Sequence, residues 1–140
     1  MIRLAHENDV VMLAGMLRDL YKELQPAHYS KDLVVYIDQM YKHFESAVDT
    51  VYVEDNYGGF FIVRDETEPM APTLNRYNGI AVYIRPESRH SSLLARFYKR
   101  LFEDFPEGEI LGQTEINSEH IKVLDKRHTL IAKVYRLQRR

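Results

Sequence analysis

The stretch that decides the fold is VYIRPESRHSSLLARFYKRL, residues 82–101. A continuous apolar run ends at Ile84, and Pro86 follows almost at once. Beyond it, apolar residues recur at four-residue spacing and predict an amphipathic helix over residues 91–104. A strand, a turn and a helix start in this order can bind anions, because the first N–H groups of a helix have no partner within it. The stretch is therefore either a phosphate-binding loop or a plain connection.

The rest of the chain divides into elements of the same kinds. Asn8 and Ser30 are the predicted N-caps of the first two helices. The residues at 56–59 (NYGG) predict the tight turn of a hairpin. The predicted strands are 2–5, 50–54, 60–64, 79–84, 109–116 and 129–137, and the predicted helices are 9–24, 31–47, 91–104 and 118–127. The order β-α-α-β-β-β-α-β-α-β places the chain in the α/β (α+β) class, with a mixed sheet covered by helices on both faces.

Length and composition indicate one globular domain over residues 1–140. A chain of 140 residues with 45% apolar and 29% charged residues has ordinary globular composition. No apolar run approaches the roughly 20 residues of a membrane span. The first residues, MIRLAHENDVV, include acids and no long apolar core, so they do not resemble a secretory signal.

Charge and cysteine content exclude several classes of site. The formal net charge is -2 and the pI about 6.3, so nothing in the overall charge favours nucleic acid or an anionic membrane as a partner. The chain has no cysteine, which excludes disulfides, thiolate catalysis and cysteine-based zinc sites. The six histidines show no HxxxH or HExxH spacing, so no metal is expected. A cytoplasmic location fits this composition.

The segment Ile84-Arg85-Pro86-Glu87-Ser88-Arg89 resembles the "V-x-P-x-x-R" that ends the fourth strand of the acetyl-CoA-dependent GNAT N-acetyltransferases. The order of elements resembles that family over essentially the whole chain. Asn117, which opens a short helix after the fifth strand, is a second point of resemblance. The resemblance implies a mostly antiparallel sheet of about six or seven strands with about four helices. It also implies acetyl-CoA as co-substrate and a primary amine, on a small molecule or a protein, as acceptor.

The resemblance also implies where the cofactor binds. In the family, the strand backbone before the proline pairs with the pantetheine arm, which here falls on Tyr83 and Ile84. The following loop and helix start wrap the pyrophosphate, and Asn117 lies on the far side of the cofactor. The implied pyrophosphate-binding residues are Arg89, His90, Ser91, Ser92, Leu93 and Leu94. Members of the family often form homodimers, and an exposed final strand could pair with a second copy of itself.

This chain departs from the family pattern at three places. The family has small residues, usually glycine and then glycine or alanine, where this chain has Ser92 and Leu94. A glycine lets a backbone N–H approach a phosphate closely, so the serine Cβ is expected to weaken that contact. Many members also carry a tyrosine that protonates the departing thiolate, and its place here falls on Leu124.

Four other residues are candidates for proton transfer. An acetyltransferase needs a group that takes a proton from an ammonium acceptor, often a carboxylate acting through water. Glu115, near the end of the fifth strand, and Tyr83 are the predicted catalytic residues, with Glu54 and Asp55 as further candidates. For Glu115 the alternative is a solvent-facing strand residue, and for Glu54 it is simple solvation at a strand end. The basic residues Arg96, Lys99 and Arg100 either meet the cofactor's 3′-phosphate or form a solvated helix face.

Three functions remain open from sequence. The first is an N-acetyltransferase that works by direct attack of the amine in a ternary complex. The second is a GNAT-fold protein without catalytic activity that acts as a binding or protein–protein interaction module, which the residues at 92, 94 and 124 favour. The third is a small α/β protein of unrelated function.

Overall fold

The computed structural model describes residues 1–67 and 75–112. In this part the chain forms five strands and three α-helices. The strands are β1 (Ile2–Leu4), β2 (Asp49–Glu54), β3 (Gly59–Asp65), β4 (Arg76–Ile84) and β5 (Glu109–Gly112), and the helices are α1 (Val10–Leu24), α2 (Leu33–Glu45) and α3 (Leu93–Asp104). Within these ranges no helix combines the length and the apolar character needed to cross a membrane.

The strands form one sheet in the order β1-β2-β3-β4-β5. Pairing is antiparallel from β1 to β4, and β4 and β5 are parallel. The described β5 pairs with the first part of β4 only, from Arg76 to Gly79. The last residues of β4, which lead to Ile84, pair with β3 on their other side.

The predicted class and the predicted order of the first eight elements are confirmed. The sheet is mixed and mostly antiparallel, with helices on both faces, as predicted. The described residues contain five strands and three α-helices, against the six or seven strands and four helices expected for the whole chain. The predicted helix 118–127 and strand 129–137 lie outside the described residues.

Both predicted N-caps are wrong by two residues. The imidazole Nδ1 of His6, not Asn8, accepts from the first free amide, that of Asn8, at 3.2 Å, and so caps the 3₁₀ turn that leads into α1. At α2 the cap is Asp32, whose carboxylate accepts from the amide of Val34 at 3.0 Å. Ser30 lies two residues before this cap, and its hydroxyl accepts a hydrogen bond from the amide of Asp32. In both places more than one polar residue could cap, and tertiary position decides between them.

The sheet separates two apolar cores. On one face α1 and α2 pack against side chains such as Val53, Phe60 and Tyr83. On the other face α3 packs against side chains that include Phe61 and Ile84. Because neighbouring strand residues point to opposite faces, Tyr83 and Ile84 belong to different cores although they are adjacent in sequence.

A buried carboxylate fixes β1 to the turn between β2 and β3. Asp9 is 3% exposed and accepts hydrogen bonds from both terminal nitrogens of Arg3 at 2.8 and 2.9 Å. It also accepts from the amide of His6 at 2.7 Å and from the hydroxyl of Tyr57 at 2.6 Å. The Arg3 hydrogen bonds, with those of Tyr57 and His6, hold the pKa of Asp9 far below its usual value. The carboxylate therefore joins β1 and the residues before α1 to a turn 48 positions further along the chain.

Candidate functional site

The candidate site begins where β4 ends against β3. Ile84 and Tyr83 lie opposite Gly59 and Phe60 in the antiparallel register. The backbones approach so closely at Gly59 that a Cβ there would lie 2.5 Å from the carbonyl oxygen of Tyr83. Only glycine fits this position without displacing one of the two strands. The close contact fixes the end of β4, from which the loop leaves.

Arg85 anchors the first residue of the loop to the neighbouring turn. Its amide donates to the carbonyl of Gly58 at 2.8 Å, and its Nε donates to the carbonyl of Tyr57 at 2.7 Å. Tyr57 adopts a left-handed backbone conformation with a φ of 56°, which reverses the chain direction in this tight turn. A single 3₁₀ turn, Pro86–Ser88, then carries the chain towards α3.

The two serines before α3 have different roles. The Ser91 hydroxyl donates to the Ser88 carbonyl at 2.5 Å and accepts from the Leu93 amide at 3.2 Å. Ser91 is therefore occupied by local structure, whereas the exposed hydroxyl of Ser92 has no hydrogen-bond partner among the described residues. In the same part of the chain, the amides of Leu94 and Ala95 also have no acceptor. The start of α3 thus offers one hydroxyl and two amides to an anion.

Arg89 is the most constrained side chain of the loop. Its Nε donates to the carbonyl of Ile84 at 2.9 Å, and its guanidinium lies 5.6 Å from the ring centre of Tyr83. One terminal nitrogen contacts both carboxylate oxygens of Glu23, at 2.6 and 2.7 Å. Glu23 lies near the end of α1, so this ion pair connects the first helix to the loop. No local pattern predicts the pair, because the two residues are 66 positions apart in the sequence.

Leu93 and Leu94 are structural parts of the site. They are 1% and 7% exposed and pack in the core under α3. Leu94, which stands where the family has a small residue, is therefore accommodated by the packing rather than projecting towards a ligand. The departure at Leu94 leaves the exposed side of the loop unchanged. The departure at Ser92 affects that side directly, because Ser92 is exposed.

Tyr83 points to the opposite face, towards α1. Its ring packs against Phe60 with centroids 6.4 Å apart, and the residue is 4% exposed. Burial raises the pKa of its phenol, and the charges of Glu23 and Asp19 raise it further against the opposing effect of Arg89 and Arg85. The hydroxyl therefore carries its proton at neutral pH, and Tyr83 cannot act as a general base there.

The other predicted site residues do not lie together at the start of α3. Glu54 is 7% exposed, and its carboxylate accepts from the amides of Asn56 and Gly58 at 2.8 and 3.2 Å, so it supports the hairpin turn. Asp55 accepts from Nε of Arg3 at 3.0 Å. His90 is exposed on the loop. Glu115, Asn117 and Leu124 lie outside the described residues.

No metal-binding arrangement is found in the described ranges. Among residues 1–67 and 75–112, no three His, Asp or Glu side chains are grouped so that they could hold a metal ion.

Several solved structures are similar to this chain over nearly its full length. A possible acetyltransferase from Clostridium difficile 630 aligns with a TM-score of 0.72 and 15% identity, covering 99% of this chain and 96% of that one. A ribosomal-protein-alanine N-acetyltransferase from Brucella melitensis biovar Abortus 2308 aligns with a TM-score of 0.72 and 16% identity over 99% and 97% of the two chains. An aminoglycoside antibiotic 6'-N-acetyltransferase from Acinetobacter haemolyticus aligns with a TM-score of 0.67 and 12% identity over 100% and 98%.

Sequence comparisons return no match: no family model and no curated protein matches the chain. The similarity to the solved structures is therefore one of fold, at 11–16% identity.

Proposed function

We propose that this protein, which has the fold of the GNAT N-acetyltransferases, transfers an acetyl group from acetyl-CoA to a primary amine of a small molecule or protein. The observation that carries the proposal is the start of α3. Unpaired amides of Leu94 and Ala95 lie there beside the exposed Ser92 hydroxyl, at the end of the loop that leaves β4. Helix starts of this kind bind phosphate groups through N–H donors and the positive end of the helix dipole.

The residues present fit the coenzyme in outline. The amides of 94 and 95, the Ser92 hydroxyl and the Arg89 guanidinium would hold its pyrophosphate, with His90 on the exposed side of the loop. The β4 backbone at Tyr83 would accompany the pantetheine arm. The carbonyl of Ile84 accepts from Arg89, so the arm competes with that side chain for it. The bound coenzyme would supply an activated acetyl thioester.

The chain's own contribution is mainly positioning. Holding both reactants in one geometry and aiming backbone donors at the reacting carbonyl account for much of the effect of such enzymes. Tyr83 keeps its proton at neutral pH, because burial and the nearby carboxylates raise its pKa, so it can donate but not accept a proton. Glu115 is the proposed acceptor of the proton that the amine loses, directly or through water.

Replacing Arg89 with alanine is expected to weaken coenzyme A binding about tenfold, the lower end for one charge-assisted hydrogen bond, because Arg89 must first leave Glu23. Isothermal calorimetry with coenzyme A and acetyl-CoA measures this. Lys42→Ala removes an exposed basic side chain from α2 and serves as the matched control. If neither wild type nor control binds at millimolar coenzyme, the proposed function is wrong. If Arg89→Ala binds as wild type does, the loop assignment is wrong.

Replacing Glu23 with glutamine is expected to tighten coenzyme A binding about two- to fivefold, because it frees Arg89 from a competing anion. The control is Glu103→Gln, an exposed glutamate at the other end of α3. In an Arg89→Ala background the Glu23 substitution should have no further effect on affinity, since it acts through the arginine. An equal gain in coenzyme A affinity in the wild-type and Arg89→Ala backgrounds would show that Glu23 does not act through Arg89.

Turnover separates the enzyme from a binding module of the same fold. Release of free coenzyme A from acetyl-CoA in the presence of a panel of primary amines is expected from the wild type. Tight coenzyme binding with no amine-dependent release would replace the enzyme with the binding module that Ser92 favours.

A further inference from the structure

The starting observation is a buried phenol without a hydrogen-bond partner. Tyr83 is 4% exposed, and its ring is enclosed by Phe60 on one side and by the Arg89 guanidinium. Its hydroxyl has no hydrogen-bond partner within residues 1–67 and 75–112. Buried hydroxyls in native proteins are nearly always satisfied by protein, water or ligand. An unpaired one inside a candidate enzyme site indicates that something else completes it.

Two carboxylates of α1 lie on the side of the sheet to which Tyr83 points. Tyr83 points into the core formed with α1, and Glu23 is placed beside it because Arg89 contacts both residues. Asp19 lies one helical turn before Glu23 and so shares its face of α1. Burial is the main cause that raises the pKa of Tyr83, and the charges of Glu23 and Asp19 raise it further, in keeping with their placement near the hydroxyl.

Of the two carboxylates, Glu23 is paired with a cation and Asp19 is not. Glu23 is compensated by Arg89 at 2.6 Å, and Arg85 is directed to the carbonyl of Tyr57 on the other side. Asp19 is half-buried and has no ion pair or hydrogen bond among the described residues. The negative charge of Asp19 is therefore free to attract a cation.

We propose that Asp19 and Tyr83, with Glu23 beside them, form a subsite for an ammonium group of the acceptor. This inference rests on the proposed acetyl transfer and names its substrate class. The ammonium held there is not the reacting nitrogen, because a carboxylate stabilises the charged form and opposes the loss of its proton. The acceptor is therefore a di- or polyamine, which places one ammonium at Asp19 while another amine reacts. An acceptor with a carboxylate in place of that second ammonium is disfavoured by repulsion.

Two probes of equal chain length test this inference: 1,6-diaminohexane, with an ammonium at each end, and 1,6-hexanediol, with a neutral hydroxyl at each end. Binding of each to the full chain saturated with coenzyme A is measured by calorimetry, without relying on turnover. The diamine is expected to bind about tenfold more tightly than the diol in the wild type. Asp19→Asn should reduce diamine affinity about tenfold and leave coenzyme A affinity unchanged.

Matched variants separate binding from folding. Tyr83→Phe keeps the ring and removes the hydroxyl, and should weaken the diamine by about two- to fivefold. Asp38→Asn removes an exposed aspartate from α2 and should change nothing. Circular dichroism of each variant checks that it is folded. Equal affinity for the two probes, or an Asp19→Asn variant that binds the diamine as wild type does, overturns the subsite while coenzyme A binding upholds the proposed function. Loss of coenzyme A binding in the wild type overturns both.

Discussion

Asp9→Ala is expected to lower the free energy of unfolding by about 3 kcal/mol, near the lower end for removing one member of a buried ion pair. The carboxylate is 3% exposed and accepts from Arg3, from the amide of His6 and from the hydroxyl of Tyr57. Its removal leaves all three donors without this acceptor. The Arg3 side chain is 36% exposed and can be rehydrated, which limits the loss. Urea unfolding followed by circular dichroism measures the change.

The same carboxylate gives this prediction a pH signature. Because folding lowers the pKa of Asp9, its stabilising contribution is complete above the unfolded pKa of about 3.9 and is lost as pH falls towards the folded value. The gap in stability between wild type and Asp9→Ala should therefore be largest near neutral pH and should shrink below about pH 4. Glu7→Ala, at a neighbouring exposed position, is the control and should change stability little at any pH. A gap that stays constant on acidification would contradict the assigned role.

Gly59→Ala is the second large effect and is expected to cost about 2–3 kcal/mol of unfolding free energy. A Cβ at this position would lie 2.5 Å from the backbone oxygen of Tyr83 and 2.9 Å from Cδ1 of Ile84. The backbone atom cannot move aside alone, so β3 and β4 must separate locally. Because β4 leads into the loop, coenzyme A affinity should fall together with stability.

Gly15→Ala is the control for this substitution. A Cβ at Gly15 would meet nothing within 4 Å, and the residue lies inside α1. Replacing a helical glycine with alanine where space allows stabilises a protein by about 0.5–1 kcal/mol. Thermal unfolding should therefore move in opposite directions for the two glycine variants. A neutral Gly59→Ala would show that the strands have room at this position.

The sequence predicted the elements better than their contacts. Apolar spacing placed α1, α2 and α3 correctly, and the run from residue 79 located β4, because burial of one face dictates these patterns. The structure starts β4 earlier, at Arg76, since residues 76–79 pair with β5 although they have little apolar character. Local features, such as the hairpin turn at 56–59, are also predictable from the sequence.

The interactions that define the candidate site were not predictable in this way. The pair of Arg89 and Glu23 joins residues 66 positions apart, and no sequence pattern links the two. Asp19 is likewise not predictable as a site residue, because a single aspartate on a helix usually belongs to a solvated face. Glu54 was predicted as a proton-transfer candidate, whereas the fold uses its carboxylate to hold the amides of the turn.

The two separate cores have a consequence for redesign of this protein. Tyr83 and Ile84 are adjacent, yet one packs with α1 and α2 and the other with α3. Side chains on the α1 and α2 face can therefore be randomised without repacking those beneath the start of α3. A library built on that face, with Glu23 kept because it pairs with Arg89, should yield variants with altered amine preference and unchanged coenzyme affinity. The sheet would separate the two substrates, so that the acceptor amine could be changed while the coenzyme is kept.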